Sequence, residues 1–228
     1  VRRAGDPRPG EIDDHAALDH RPAADAGVDR HASARRGGVP LMDARLPAGD
    51  AIDWRFETPR VRARLVDARD RALYRALYTD PAVMAHIGPV LDAAAADAVF
   101  GKACAYNLES PMRARYWCLM DSASDAAIGM QSILCPAAEP DVVEIGLMLL
   151  PAWQGRRLGH EITDAVLEAL FEARWGVRAV AVTARHAPTN ARVGRLGRSL
   201  DFDADTQADA TIHGWRMTKA AWSGRGSH

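Results

Sequence analysis

The segment from Val142 to Glu161 constrains this chain more than any other. Val142 to Leu150 is an aliphatic run interrupted only by Glu144 and Gly146, and Pro151 ends it. From Leu158 to Trp175 the pattern changes period, with Ile162, Val166, Leu170 and Ala173 at helical spacing. A strand that turns this quickly into a long helix leaves the helix amino terminus exposed. Its unpaired N–H groups and the positive end of its dipole suit an anion, and Arg156 and Arg157 add charge. No Gly-Lys-Ser or Gly-Lys-Thr follows the turn, so it is not a P-loop, and no second glycine pattern suits a dinucleotide. Taken alone, a glycine-containing turn of this kind reads better as plain structure than as a binding site.

Elements on either side place the segment in a sheet. The sequence predicts a strand over Val61 to Val66, a helix over Asp67 to Tyr78 opened by a capping aspartate, and a break at Asp80 and Pro81. Asp92 to Leu108 reads as helix. Trp117 to Met120 and Ile128 to Leu134 read as a strand pair across the turn from Ser122 to Asp125. Ala179 to Thr183 is predicted as strand, Asn190 to Leu200 as helix and Ile212 to Met217 as the last strand. This order predicts an α+β or mixed α/β domain built on one sheet.

At 228 residues the chain has room for one substantial core, and a net charge of −1 offers no electrostatic reason to expect nucleic acid or an anionic membrane. No apolar run is long enough to cross a bilayer. Cys104, Cys118 and Cys135 are too widely spaced for a metal pair and odd in number, which points to buried free thiols in a reducing compartment. Residues 1–41 are rich in Arg, Asp, Ala, Gly and Pro without aromatics, and are expected to be disordered or loosely attached, leaving residues 42–228 as a single domain. Two readings of that stretch stay open: a native extension, or sequence upstream of a true start at Met42.

Gln154 to Gly159 resembles the pyrophosphate loop of the GNAT acetyltransferases: Gln or Arg, two variable residues, Gly, one variable residue, then Gly or Ala. Gln154 and Gly159 match, and Arg157 stands where the first Gly is expected. Downstream, Asn190, Arg195, Leu196, Leu200 and Phe202 match a second segment of the same superfamily, with Val193 for its usual Ser and Asp201 for its helix-ending Gly. Thr58-Pro59-Arg60-Val61-Arg62-Ala63-Arg64, Asp80-Pro81-Ala82-Val83, Glu144-Ile145-Gly146 and Glu161 resemble the Rim-type branch, which includes ribosomal-protein alanine acetyltransferases. The resemblance covers most of Glu57 to Trp222.

It implies a splayed mixed β-sheet flanked by helices, with acetyl-CoA as co-substrate and no metal. Pantetheine would pair with backbone near Leu147 and Leu149, and the pyrophosphate would lie on Gln154, Gly155, Arg156, Arg157, Leu158, Gly159 and His160. Asn190 would cap its helix and hold the pantetheine arm. The implied reaction is acetyl transfer to a primary amine by direct attack, the acceptor being a protein or peptide N-terminus or a small molecule. The alternative is a catalytically weak CoA-binding or protein-interaction module on the same fold. A backbone N–H near Leu149 would polarise the thioester carbonyl, and Glu144 is the candidate base, with His186 second. Gly197 and Val193 occupy the positions where similar proteins carry Tyr or Ser, and Thr189 and Ser199 match poorly, so no general acid is assigned. A cytoplasmic monomer or homodimer is expected.

Overall fold

In the computed structural model, which describes residues 52–137, 139, 141–177, 179–186, 190–205 and 213–224, eight strands form one sheet. The expectations for residues 1–41 and for a start at Met42 lie outside the described residues. The strands are β1 (Phe56–Glu57), β2 (Val61–Leu65), β3 (Ala114–Asp121), β4 (Ala127–Leu134), β5 (Val142–Leu149), β6 (Ala181–His186), β7 (Asp203–Asp205) and β8 (His213–Thr218). Their order is β1-β2-β3-β4-β5-β6-β8-β7, and β5 with β6 is the parallel pair in an otherwise antiparallel sheet. The mixed α/β class expected from the pattern is the one observed.

Side-chain alternation divides the core between the two faces. Val143 and Ile145 face a cluster built with Ile162, Val166 and Leu170 of helix α4 (Leu158–Phe171), Leu200 behind helix α5 (Ala191–Ser199), and Met217. Trp222 of the closing helix α6 (Lys219–Gly224) packs on Phe171 of the same cluster. Met148 and Met130 face the other way, onto Leu73, Tyr74 and Leu77 of α1 (Arg71–Tyr78), Val83 of α2 (Pro81–Met84), and Phe100 of α3 (Ala93–Tyr106). None of these helices is long and apolar enough to cross a membrane.

Several boundaries differ from expectation, each for a local reason. The predicted helix over 67–78 divides into a 3₁₀ turn at Ala68–Asp70, closed by a reciprocal Asp67/Asp70 capping box, and α1. Pro81, read as a breaker, opens α2 instead, with the Asp80 side chain accepting from the N–H groups of Ala82 and Val83. Helix α4 ends at Phe171, short of Trp175, because Ala173 turns left-handed at φ 56° and Arg174 N–H closes back on the Ala169 carbonyl at 2.9 Å. Of the last strand, Ile212 lies outside the described residues.

Candidate active site

Strand β5 is flanked by two unequal partners. Against β4 it is paired from Glu144 to Leu149, whereas its register with β6 runs only from Val142↔Ala181 to Glu144↔Thr183. Beyond Glu144 the two strands part. The direction of the backbone in that gap follows from the antiparallel ladder, in which alternate residues turn their N–H and C=O to opposite sides. Leu150 N–H donates to the Ile128 carbonyl at 2.9 Å, so the pairs in step with it, Met130↔Met148, Ser132↔Gly146 and Leu134↔Glu144, bond within the ladder. Ile145, Leu147 and Leu149 therefore turn their backbone groups away from β4, toward the splay.

The strand then runs through a 3₁₀ turn at Pro151–Trp153 to the amino terminus of α4. The N-cap position of α4 is Arg157, with φ 63° and no side-chain cap. A left-handed arginine costs roughly 1–2 kcal/mol. This strain explains why a glycine would serve at the position where the arginine interrupts the resemblance. Gly155 is also left-handed, at φ 77°, in open surroundings. The amino-terminal N–H groups of α4 thus have no carboxylate or hydroxyl of their own N-cap to satisfy them, which suits an incoming anion.

Three side-chain systems hold this turn. Gln154 Nε2 donates to the Leu149 carbonyl at 2.8 Å, while Gln154 Oε1 accepts from Arg192 on α5, so the side chain bridges the end of β5 to the facing helix. Arg156 lies over the Trp153 ring at 4.6 Å. On the other flank, the Glu161 carboxylate accepts from Thr58 Oγ1, from Arg60 N–H at 2.9 Å and from Arg60 Nε at 2.7 Å. Arg60 Nη1 continues to the Arg156 carbonyl at 3.0 Å. Burial pushes the Glu161 carboxyl up, but the donors of Thr58 and Arg60 together outweigh it and leave it below the usual carboxylate range.

Asn190 caps α5 by accepting from Val193 N–H at 3.3 Å. At the other end Asp201 takes φ 57°, and Phe202 N–H closes on the Gly197 carbonyl at 2.9 Å, so aspartate performs the helix-ending role of the glycine it replaces. Gly197 itself is covered by the Trp215 ring of β8, which would stand 2.8 Å from an added Cβ. Leu158, Gly159 and His160 form the first turn of α4. A Cβ on Gly159 would meet Leu147 and Leu196 at ordinary contact distances.

Glu144 occupies the last paired rung before the splay. It shares a sheet face with Gly146 and Met148, as alternation requires, and is buried rather than solvated. Arg185 Nε stands 3.3 Å from its carboxylate. On this face Tyr78, Tyr116, Ser132, Gly146 and Met148 line a small crevice. The side chain of His186, the second candidate base, lies outside the described residues, as does Thr189. The structure thus brings Leu147, Leu149 and Gln154 to His160 to one end of the splay, with Glu144 at its apex and Asn190 capping the helix whose Arg192 holds Gln154. Sequence reading gave no role to Arg60, Arg185, Arg192 or Trp215. Arg60 fell within a resemblance fragment, but its contact to Glu161 spans about a hundred positions and leaves no local signal.

A sequence model of the acetyltransferase (GNAT) domain family matches residues 60–203. Among solved structures, an acetyltransferase from Agrobacterium tumefaciens is 17% identical, with TM-score 0.61 over 82% of this chain and 99% of its own. The spermidine N-acetyltransferase of Vibrio cholerae, solved with CoA and spermine, is 12% identical, with TM-score 0.59 over 72% and 98%. RimL, a ribosomal-protein α-N-acetyltransferase solved with coenzyme A, is 13% identical, with TM-score 0.59 over 72% and 97%.

Proposed function

We propose that this chain, which belongs to the GNAT acetyltransferase domain family, moves an acetyl group from acetyl-CoA to a primary amine by direct attack. The observation that carries the reading is the splay beside β5. There, the backbone groups of Leu147 and the N–H of Leu149, whose carbonyl Gln154 already holds, face the splay that leads to the uncapped amino terminus of α4. An extended pantetheine arm needs such a strip, and a pyrophosphate needs such a terminus. Gln154, Gly155, Arg156, Arg157, Leu158, Gly159 and His160 then hold the phosphates, and Asn190 lies beside the arm.

The chemistry follows from what the neighbouring groups can supply. Leu149 N–H donates to the thioester oxygen as negative charge develops there. The amine nitrogen bonds to the carbonyl carbon, the carbon–sulfur bond breaks, and CoA departs as a thiolate. Glu144 accepts the proton that the amine must lose, exchanging its ion-pair contact with Arg185 for a bond to the acceptor or a bridging water. The thiolate, whose ordinary pKa is about 8.5, takes its proton from water. Position 197 offers no hydroxyl, Gly197 lying under the Trp215 ring.

The acceptor we favour is a protein or peptide α-amine, as in the Rim-type branch. This rests on Thr58-Pro59-Arg60 and Glu144-Ile145-Gly146, with the fold likeness to RimL consistent with it. We place the enzyme in the cytoplasm as a monomer or homodimer, with residues 42–228 as its domain. A second reading, a catalytically weak CoA-binding or protein-interaction module, is favoured by the strained Arg157 and by the indole over Gly197. Thiol release from acetyl-CoA, measured across a panel of peptides, polyamines and small amines, separates the two. Turnover with any acceptor supports the enzyme, and CoA binding with no turnover across the panel supports the module.

A further inference from the structure

Arg60 touches the anion turn at one well-defined point. Its Nη1 donates to the carbonyl of Arg156 at 3.0 Å, the peptide unit immediately before the left-handed residue. In a planar trans peptide the carbonyl and the following N–H point in opposite directions. Holding the Arg156 carbonyl toward Arg60 therefore directs the Arg157 N–H away from it. A peptide beside a left-handed residue has a competing orientation, reached by a flip that reverses both groups, so something must choose between them. At this position the side chain of the N-cap does not choose, because it forms no capping bond.

Arg60 is in turn immobilised. The Glu161 carboxylate takes its Nε, its Nη2 at 2.6 Å and its backbone N–H, and Thr58 donates to the same carboxylate. Glu161 sits in the first turn of α4, where its charge also complements the helix dipole. The side-chain exposure of Glu161 is 17% against 48% for Arg60, so the half-buried carboxylate anchors a guanidinium whose remaining arm reaches the turn.

We propose that Arg60 is a positioning residue for diphosphate binding: braced by Glu161, it locks the Arg156–Arg157 peptide with its N–H presented to the ligand. The inference rests on the reading of this turn as the pyrophosphate site. It adds to that reading a side chain from the β1–β2 hairpin and a single peptide orientation on which affinity depends.

Calorimetric titration of the full chain with CoA, and displacement of CoA by inorganic pyrophosphate, tests it in wild type, Arg60→Ala and Arg60→Lys. Loss of one charge-assisted bond to the turn predicts a CoA affinity roughly 10-fold weaker for the alanine variant. Pyrophosphate should weaken in parallel. Lysine, which keeps the charge but cannot fork between Glu161 and the Arg156 carbonyl, should recover only part. For a panel acceptor, KM for acetyl-CoA should rise while kcat stays within twofold, a split that general destabilisation would not produce. If Arg60→Ala is poorly folded by circular dichroism, Glu161→Gln, which loosens the brace and leaves Arg60 in place, should show the same CoA and pyrophosphate losses at a smaller scale. Unchanged CoA affinity in a folded variant that lacks Arg60 or its brace overturns the proposal. Wild-type protein that binds CoA but not pyrophosphate also overturns it, whereas wild type that binds neither refutes the reading of the site itself.

Discussion

The indole of Trp215 lies against the backbone of Gly197, so close that a methyl group added to the glycine would stand 2.8 Å from the ring. Alanine in a helix interior is ordinarily worth about 1 kcal/mol over glycine. Here the sign reverses: Gly197→Ala should destabilise by about 1–3 kcal/mol through overpacking. Gly194, three residues earlier on α5, faces only the flexible Arg198 side chain at 3.7 Å. Gly194→Ala should therefore stabilise by roughly 0.5–1 kcal/mol. Urea midpoints for the pair measure the contrast, and Trp215→Leu should remove most of the Gly197→Ala penalty.

Arg157→Gly should raise the melting temperature. Relief of the left-handed arginine, roughly 1–2 kcal/mol, exceeds the extra freedom glycine gives the unfolded chain, about 0.5–1 kcal/mol. A rise of about 1–3 °C is expected for a domain of this size. Titration with acetyl-CoA in the same variant shows which contribution of Arg157 dominates. Tighter binding means its side chain obstructed the approach of phosphate to the backbone, and weaker binding means its charge attracted the ligand.

Glu144→Gln preserves size and removes the base, so turnover should fall roughly 10²-fold at neutral pH while acetyl-CoA affinity stays nearly constant. Higher pH should restore part of the loss, because more of the acceptor then arrives already neutral. Full turnover from about pH 6 to 9 would reduce Glu144 to the structural partner of Arg185 and end its assignment as base.

Glu161 predicts a particular acid response. Its carboxyl is held below the ordinary value, so its bonds to Thr58 and Arg60 contribute stability in full above about pH 4.3. That contribution is lost as pH falls through the depressed folded-state value. Wild type should therefore lose stability more steeply than Glu161→Gln as pH falls below about 4.3. Parallel unfolding curves for the two proteins over that interval would show that the carboxylate network carries no net charge-dependent stability.

How much of this was readable from residues alone depended on the range of the interaction. Val142 to Leu149, the helix from Leu158 and the cap at Asn190 were legible because period, proline and capping chemistry act within a few positions. The left-handed conformations of Arg157 and Asp201 were anticipated only as places where glycine was missing. Short elements such as β1, α2 and β7 escaped because two to four residues carry no period. The bracing of the turn by Arg60, the link from Gln154 to Arg192 and the cover that Trp215 gives Gly197 join residues distant in sequence, so no window along the chain could contain them.

The parting of β5 from β6 has a consequence for solubility. An unpaired strand margin usually sits at the outside of a sheet, where it can recruit a strand from another molecule and seed aggregation. Here the open margin is internal: β6 continues on the far side and, beyond it, β8 and β7 complete the sheet. A foreign strand would need room for side chains on both of its faces, and a wedge closed at Glu144 gives it little. Something narrow, unbranched and able to bond along its length meets no such obstacle. The fold can therefore leave backbone groups of β5 unpaired by a neighbouring strand without also offering a template for self-association.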